Sequence, residues 1–440
     1  MTVTVNPILD HRRALVAIAA IPTLDCFCNQ LNNAFHPHLG PIGFLQALRA
    51  VLMVALVSIS IRAVRREPLL ASRLPWSALG AALILSIILS KELVSTGGVQ
   101  IENLESYGQL LYWILLWSTI SLLCVKPAQA KLLLKGLAVG SLFTALSVMV
   151  GLAAGVGNFY TSDLVRASAG WFDTPKMITA ILVVGGIVIL YLGRGVRSWL
   201  PTVLAALCFV ACVLTYARAG MVALGMVCGW FIFWRLFLCD RHEGRWLNRL
   251  LVLLLLSCIV VPLAVDTHTL LARWSDVGES DRAGSGRAAF WKIAADSYLA
   301  ADLPQQSLGH GYKEMSEMLF RDYGDDIKHT HNDMLDLLLV GGAAGAVWFI
   351  GLILAFLKRA LRSPIDSAAG AASIAIVLVY LCHSQLTGQI WGTDAMTYYT
   401  VSLTCFSCIG SSLRSPHPVR SVQQAQRPLH TTTLKSLESL

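Results

Sequence analysis

The sequence predicts an all-α polytopic membrane protein of about twelve transmembrane helices, with one large loop domain on a single face. Three observations carry that reading. Of 440 residues, 55% are hydrophobic and only 14% charged, against roughly 25% charged in a soluble domain. Apolar stretches of membrane-spanning length, roughly 20 residues each, recur along the chain. The loops between them alternate, and every second one is basic. The net charge of +8 and the pI near 9.0 are therefore accounted for by loops on one side of a bilayer, and no nucleic-acid partner is needed to explain them.

The positive-inside rule orients the chain. With a cytoplasmic N-terminus, Arg12 and Arg13 lie inside, followed by Arg62, Arg65, Arg66 and Arg73, then Lys126, Lys131 and Lys135, then Arg194 and Arg197. The series continues through Arg235, Arg241, Arg245 and Arg249, then Lys358, Arg359 and Arg362, and ends in a tail with Arg414, Arg420, Arg427 and Lys435. Most of the 34 lysines and arginines are thereby inside, which puts both termini in the cytoplasm and requires an even number of spans. Asp25 and Cys26 break the small-residue pattern of a cleavable signal, so the first apolar segment is read as a retained span.

Taken in order, the expected spans are 14–28, which is short and polar, then 41–63 with Arg49 inside it, 75–94, 107–125 and 132–155. Next come 176–194, opened by Pro175, then 200–216 and 219–238 with almost no loop between them, and 248–265. The last three are 332–357, 367–386 and 394–412. The organisation that follows is nine helices over 1–265, an extracytoplasmic loop domain over 266–330, three helices over 331–412 and a basic cytoplasmic tail over 413–440. Neither a fixed-period repeat nor inverted halves stand out. Within the loop domain, 287–301 reads as an amphipathic helix with Phe290, Trp291, Ile293, Ala294 and Tyr298 on one side, and Gly309-His310-Gly311 marks a turn. Eleven cysteines are scattered along the chain, none of them in that loop, so a disulfide framework is not expected.

The outside face collects the residues suited to chemistry. Arg218 stands between two apolar runs, where insertion costs about 2.5–3.5 kcal/mol at mid-span, and this makes it a candidate for holding an anion. A side chain that snorkels to the headgroups is the alternative. Arg287 opens the loop helix behind Gly284-Ser285-Gly286, where a guanidinium fork and free amides suit a phosphate or pyrophosphate; a solvated surface arginine is the bland reading. In His329-Thr330-His331-Asn332-Asp333, Thr330 is expected to cap the following helix with Asp333 at its third position, which sets His331 in the first turn. The positive end of that helix favours neutral imidazole, able to accept or orient a proton. A metal site from His329, His331, Asp333 and Asp336 would need non-helical backbone at that point, because residues two apart on a helix diverge. Gly341, Gly342 and Gly345 are read as a small-residue packing face, and Arg166 and Lys176 as further positive charge on the outer side.

In order, residues 170–175, residues 215–220 with Arg218, Gly286-Arg287 followed by Trp291, Gly309-His310-Gly311, and His331-Asn332-Asp333 followed by Leu335 and 342–345 resemble the O-antigen ligase superfamily, which also contains O-antigen polymerases. The resemblance implies a GT-C-like, twelve-helix glycosyltransferase of the bacterial inner membrane. Such an enzyme takes a glycan from undecaprenyl pyrophosphate on the periplasmic side and joins it to a lipid A-core acceptor, with no metal and no cofactor. Carried over, Arg218 and Arg287 would hold the pyrophosphate and His331 would activate or position the acceptor hydroxyl, with Arg166, Lys176, Trp291, His310, His329, Asn332 and Asp333 in support. The chain departs from the family pattern at Asp173 and Lys176, where asparagines are frequent. Its implied partners are the lipid-linked donor, the lipid A-core acceptor and membrane lipids, with no nucleic acid. A polymerase of the same superfamily is the nearest alternative. A transporter or flippase for an anionic substrate is the other; it explains Arg218 but leaves the loop domain without a role.

Overall fold

The computed structural model describes residues 7–35, 38–39, 42–96, 101–154, 158–161, 164–167, 175–196, 198–215, 217–239, 287–323 and 329–414. Eleven of the expected spans each fall on one helix: α1 Pro7–Phe35, α2 Phe44–Arg66, α3 Trp76–Thr96, α4 Ile101–Leu123, α5 Pro127–Ala153, α6 Pro175–Gly193, α7 Leu200–Leu214, α8 Arg218–Phe237 and, after three shorter helices, α12 Asp333–Ala360, α13 Ala368–Leu386 and α14 Thr393–Arg414. The shorter ones are α9 Arg287–Ala300, α10 Leu303–Leu308 and α11 Tyr312–Tyr323. The expected span 248–265 and the first part of the loop domain lie outside the described residues. Two small antiparallel hairpins, β1 His38–Leu39 with β2 Ile42–Gly43 and β3 Asn158–Thr161 with β4 Leu164–Ala167, are the only strands among the described residues. Helices α2, α5, α8, α12 and α13 are long and apolar enough to cross a bilayer on length and composition alone. The chain is a multi-pass α-helical membrane protein.

Local chemistry starts and stops these helices where the sequence provides for it. Pro127 occupies the first position of α5, and the Gln129 side chain accepts from the amides of Val125 and Lys126, so the exposed donors of that helix start are met. Ser367 caps α13 by accepting from the Gly370 amide, and Pro175 begins α6 as expected. Inside the bundle, Thr400, Ser402 and Thr404 return their hydroxyls to carbonyls one turn back in α14, which satisfies polar groups that lipid could not.

The bundle is organised around α14, which packs against α1, α4, α5, α6, α12 and α13. Its Tyr398, Tyr399 and Phe406 are fully buried, beside Trp113 and Trp117 of α4 and Tyr380 of α13. Helices α1 and α5 approach closely because residue 136 is glycine: a β-carbon there would collide with the Ala19 carbonyl. Large apolar side chains cover the outside, among them Val51 and Val54 of α2, Val139 and Leu146 of α5, and Val347 and Leu354 of α12. Such a surface suits hydrocarbon rather than water. Two of the loops expected on the basic side share one end of the bundle, since Arg73, Lys358, Arg359 and Arg362 line a single cavity there.

Helix α12 does not run unbroken. Gly342 has φ 60° and ψ −153°, which interrupts the helical ladder after Gly341. The carbonyls of Leu339 and Val340 accept instead from the amides of His310, at 2.6 Å, and Gly311, at 3.1 Å. The 309–311 turn therefore docks into the break, and a β-carbon on either Gly309 or Gly342 would meet the other segment's backbone. This corrects the expectation that Gly341, Gly342 and Gly345 form a helix-packing stripe. The glycines mark a point where one chain segment supplies the hydrogen bonds that another has given up.

Candidate active site

The segment before α12 is built around Asp336. Its Oδ1 accepts from both the amide and the hydroxyl of Thr330, each at 2.7 Å, and its Oδ2 lies 4.0 Å from His329 Nδ1. The Thr330 oxygen also accepts from the Asn332 amide at 3.3 Å, ahead of the first helical residue, so Thr330 is not the cap. Asn332 is, its Oδ1 accepting from Met334 at 3.0 Å and Leu335 at 3.2 Å. The expected cap at Thr330 is thus corrected by two residues, and His331 sits outside the helix rather than in its first turn. Its φ is +61°, in the left-handed region, and it is the sole non-glycine residue there among those described. The rings of His329 and His331 meet edge to face with centroids 4.3 Å apart. Among the described residues, no three His, Cys, Asp or Glu side chains converge as a metal-binding group.

Asn332 and Asp333 tie this segment to the α13–α14 connection. Asn332 Nδ2 donates to the Gln385 side chain at 3.1 Å, and Asp333 Oδ1 accepts from the amides of Gln389 and Ile390. Both residues therefore shape backbone. Gly388, with φ +64°, packs against the His331 main chain.

Two further segments close on the same end of the bundle. The Trp291 indole donates to the Thr330 carbonyl at 3.2 Å, which anchors α9 beside His331. Arg287 lies one turn before Trp291 on the same face of α9 and is half-buried. As expected, Phe290 and Ala294 of that helix are buried, with Ile293 and Tyr298 half-buried. Arg218 is the first residue of α8 and is also half-buried. The carbonyl of its neighbour Ala219 accepts from Cys382 Sγ at 3.7 Å, and Gly220 packs on Thr179, whose hydroxyl is 3.0 Å from His383 Nε2. Residues 382, 383 and 385 belong to the last turns of α13, so Arg218 and the Gln385–Asn332 contact flank one helix end.

The remaining expected positions are less central. His310 contributes its amide to the α12 break, while its ring pairs with Glu314 at 3.2 Å. Arg166 stands in β4 opposite Phe159, and Lys176 is the second residue of α6. Residues 168–174, which include Asp173, lie outside the described set.

One segment links most of these positions. Residues 203–350 match the O-antigen ligase family model. The match runs from α7 into α12 and takes in Arg218, Arg287, Trp291, His310, the 329–333 segment and the break at Gly342, so the resemblance carried by the short motifs holds over that stretch. No curated protein matches the chain.

Sequence reasoning weighed Asp336 only as a metal ligand, and it did not single out Gln385 or the Gln389–Ile390 amides. An acidic residue one turn inside an apolar span was the available signal for Asp336. Arg49 was noted without a partner. It lies in a buried triad, with Nη2 2.7 Å from Asp394 and Nε 3.6 Å from Asp25, and Tyr112 donates to Asp25 at 3.0 Å.

Proposed function

We propose that this protein is an O-antigen ligase, moving a glycan from undecaprenyl pyrophosphate to a lipid A-core acceptor at the periplasmic face of the bacterial inner membrane. The observation that carries the proposal is the family match over 203–350 together with the position of His331. That histidine is held off the helix in a left-handed backbone conformation, between the α9 segment bearing Arg287 and the α13 end flanked by Arg218. A strained backbone retained at a helix start is the kind of feature that clusters at functional sites.

The chemistry follows from charge. Breaking the sugar–pyrophosphate bond builds negative charge on the leaving group, and arginine forks preorganised at a lipid-shielded site stabilise it. Arg218 and Arg287 take that role. As the new bond forms, the acceptor hydroxyl loses its proton, and His331 accepts or orients it. Thr330 and Asp336 hold the backbone that presents the imidazole, with His329 against its ring. Attack opposite the leaving group inverts the anomeric centre; retained configuration in the product, read by NMR, would rule this out.

Product analysis in a deletion strain tests the reading. A ligase leaves lipid-linked polymer and bare core, and complementation with His331→Ala should fail to relieve that state although the variant reaches the membrane. Accumulation of single repeat units would instead identify a polymerase. Transfer by purified protein in detergent, with no compartments to cross, would eliminate a transporter.

A further inference from the structure

At the opposite end of the bundle from His331, a cavity of about 770 Å³ lies between α3, α4, α12 and α14. Four cations line it, Arg73 from the α2–α3 connection and Lys358, Arg359 and Arg362 from the end of α12, and no Asp or Glu is among the described residues around it. Arg359 is turned inward. Its guanidinium carbon sits 4.6 Å from the ring centre of the fully buried Trp117, and one nitrogen reaches Ser121 Oγ at 3.3 Å. The positive-inside rule accounts for basic residues at this end, but those that serve topology need only face solvent, as Arg62, Arg65 and Arg66 do. Four cations gathered on one cavity repel each other unless an anion sits among them. A guanidinium stacked on tryptophan, with a hydroxyl on one nitrogen, still presents further donors to such an anion.

The walls say where that anion comes from. Trp76 of α3 and Leu354 of α12 line the cavity and are exposed large apolar side chains, and Leu79, Leu83, Val347 and Ile350 are exposed on the same two helices. They face hydrocarbon, and Trp76, 84% exposed, stands at the level of the basic rim, where tryptophan anchors to headgroups. We propose that this cavity binds the phosphate headgroup of an anionic membrane lipid from the leaflet that faces the basic loops, with its acyl chains along α3 and α12. The site is separate from the transfer chemistry and does not depend on it.

Thermal unfolding of the full chain, purified in an uncharged detergent, tests this with three probes: phosphatidylglycerol, phosphatidylcholine and inorganic phosphate. Phosphatidylglycerol should raise Tm saturably, while the other two leave it in place. Arg359→Gln combined with Arg362→Gln should weaken the apparent affinity at least about tenfold, the scale of losing charge-assisted contacts, whereas Arg62→Gln with Arg65→Gln should keep it. Equal shifts from the two lipids would overturn the proposal, and so would an unchanged affinity in the Arg359/Arg362 variant. A phosphate shift matching that of phosphatidylglycerol would overturn the lipid assignment in favour of a free anion. Should the Arg359/Arg362 variant not fold, Arg73→Gln with Lys358→Gln, both at exposed positions, takes its place with the same expected loss.

Discussion

His331 combines two demands that pull apart. It carries the imidazole the proposed reaction uses, and it occupies a φ of +61° that costs a residue with a β-carbon roughly 1–2 kcal/mol. Substitution separates the two. His331→Gly should lose transfer yet unfold at the same temperature or higher, whereas His331→Ala should lose transfer without gaining stability. A glycine variant with full activity would remove the imidazole from the mechanism. Replacing Arg218 or Arg287 by alanine should impair donor use, with lysine restoring only part of it because the planar fork is lost; equal donor affinity and turnover in all four variants would defeat the pyrophosphate assignment. His331 is legible from sequence as a residue, but its conformation is not. Thr330 and Asn332 are both competent caps, and the point at which the backbone turns helical decides between them: the Thr330 oxygen meets the Asn332 amide, whereas Asn332 Oδ1 meets the helix's own amides.

At the scale of the element, α12 is a helix whose start and break are both secured from elsewhere. Asp336→Ala removes the acceptor of two buried Thr330 donors and should destabilise by about 2–4 kcal/mol, while Asp336→Asn, which keeps an acceptor oxygen, should lose much less. Denaturation in detergent reads the difference, and equal losses would show that the carboxylate's charge matters more than its hydrogen bonds. Gly342→Ala places a β-carbon against the 307–309 backbone at a positive φ, so it should cost about 2–3 kcal/mol or more and free the loop helices from α12, seen as faster hydrogen exchange at the His310 and Gly311 amides. The amphipathic α9 and the 309–311 turn are readable locally because periodicity and glycine placement are local signals. The break at Gly342 is not, since the amides that make it tolerable come from a segment about thirty residues earlier.

Across the whole molecule, α1, α2 and α14 are joined by the buried Asp25–Arg49–Asp394 triad. Arg49→Ala should destabilise by about 3–5 kcal/mol, because two buried carboxylates then lack their cation, and Asp25→Asn with Asp394→Asn in that background should recover part of the loss. No recovery would mean that the guanidinium acts by packing, on the Tyr112 ring 5.9 Å away, rather than by charge. The orientation is open to a direct check. Ser280→Cys, in the hydrophilic insert, should react with a membrane-impermeant maleimide in intact spheroplasts; labelling only after lysis would reverse the topology and move the proposed site to the cytoplasm.

Hydropathy suffices to locate most of the apolar helices, because the energy of moving a side chain between water and hydrocarbon depends on the residue and barely on its neighbours. Eleven of the expected spans accordingly coincide with helices. Which side chains meet is a different matter. The partners of Arg49, the anchoring of Trp291 on Thr330 and the gathering of four cations against Trp117 join residues far apart in the chain. Lipid offers a buried polar group no substitute partner, so each must find one inside the bundle, and only the packing of helices decides which partner is within reach.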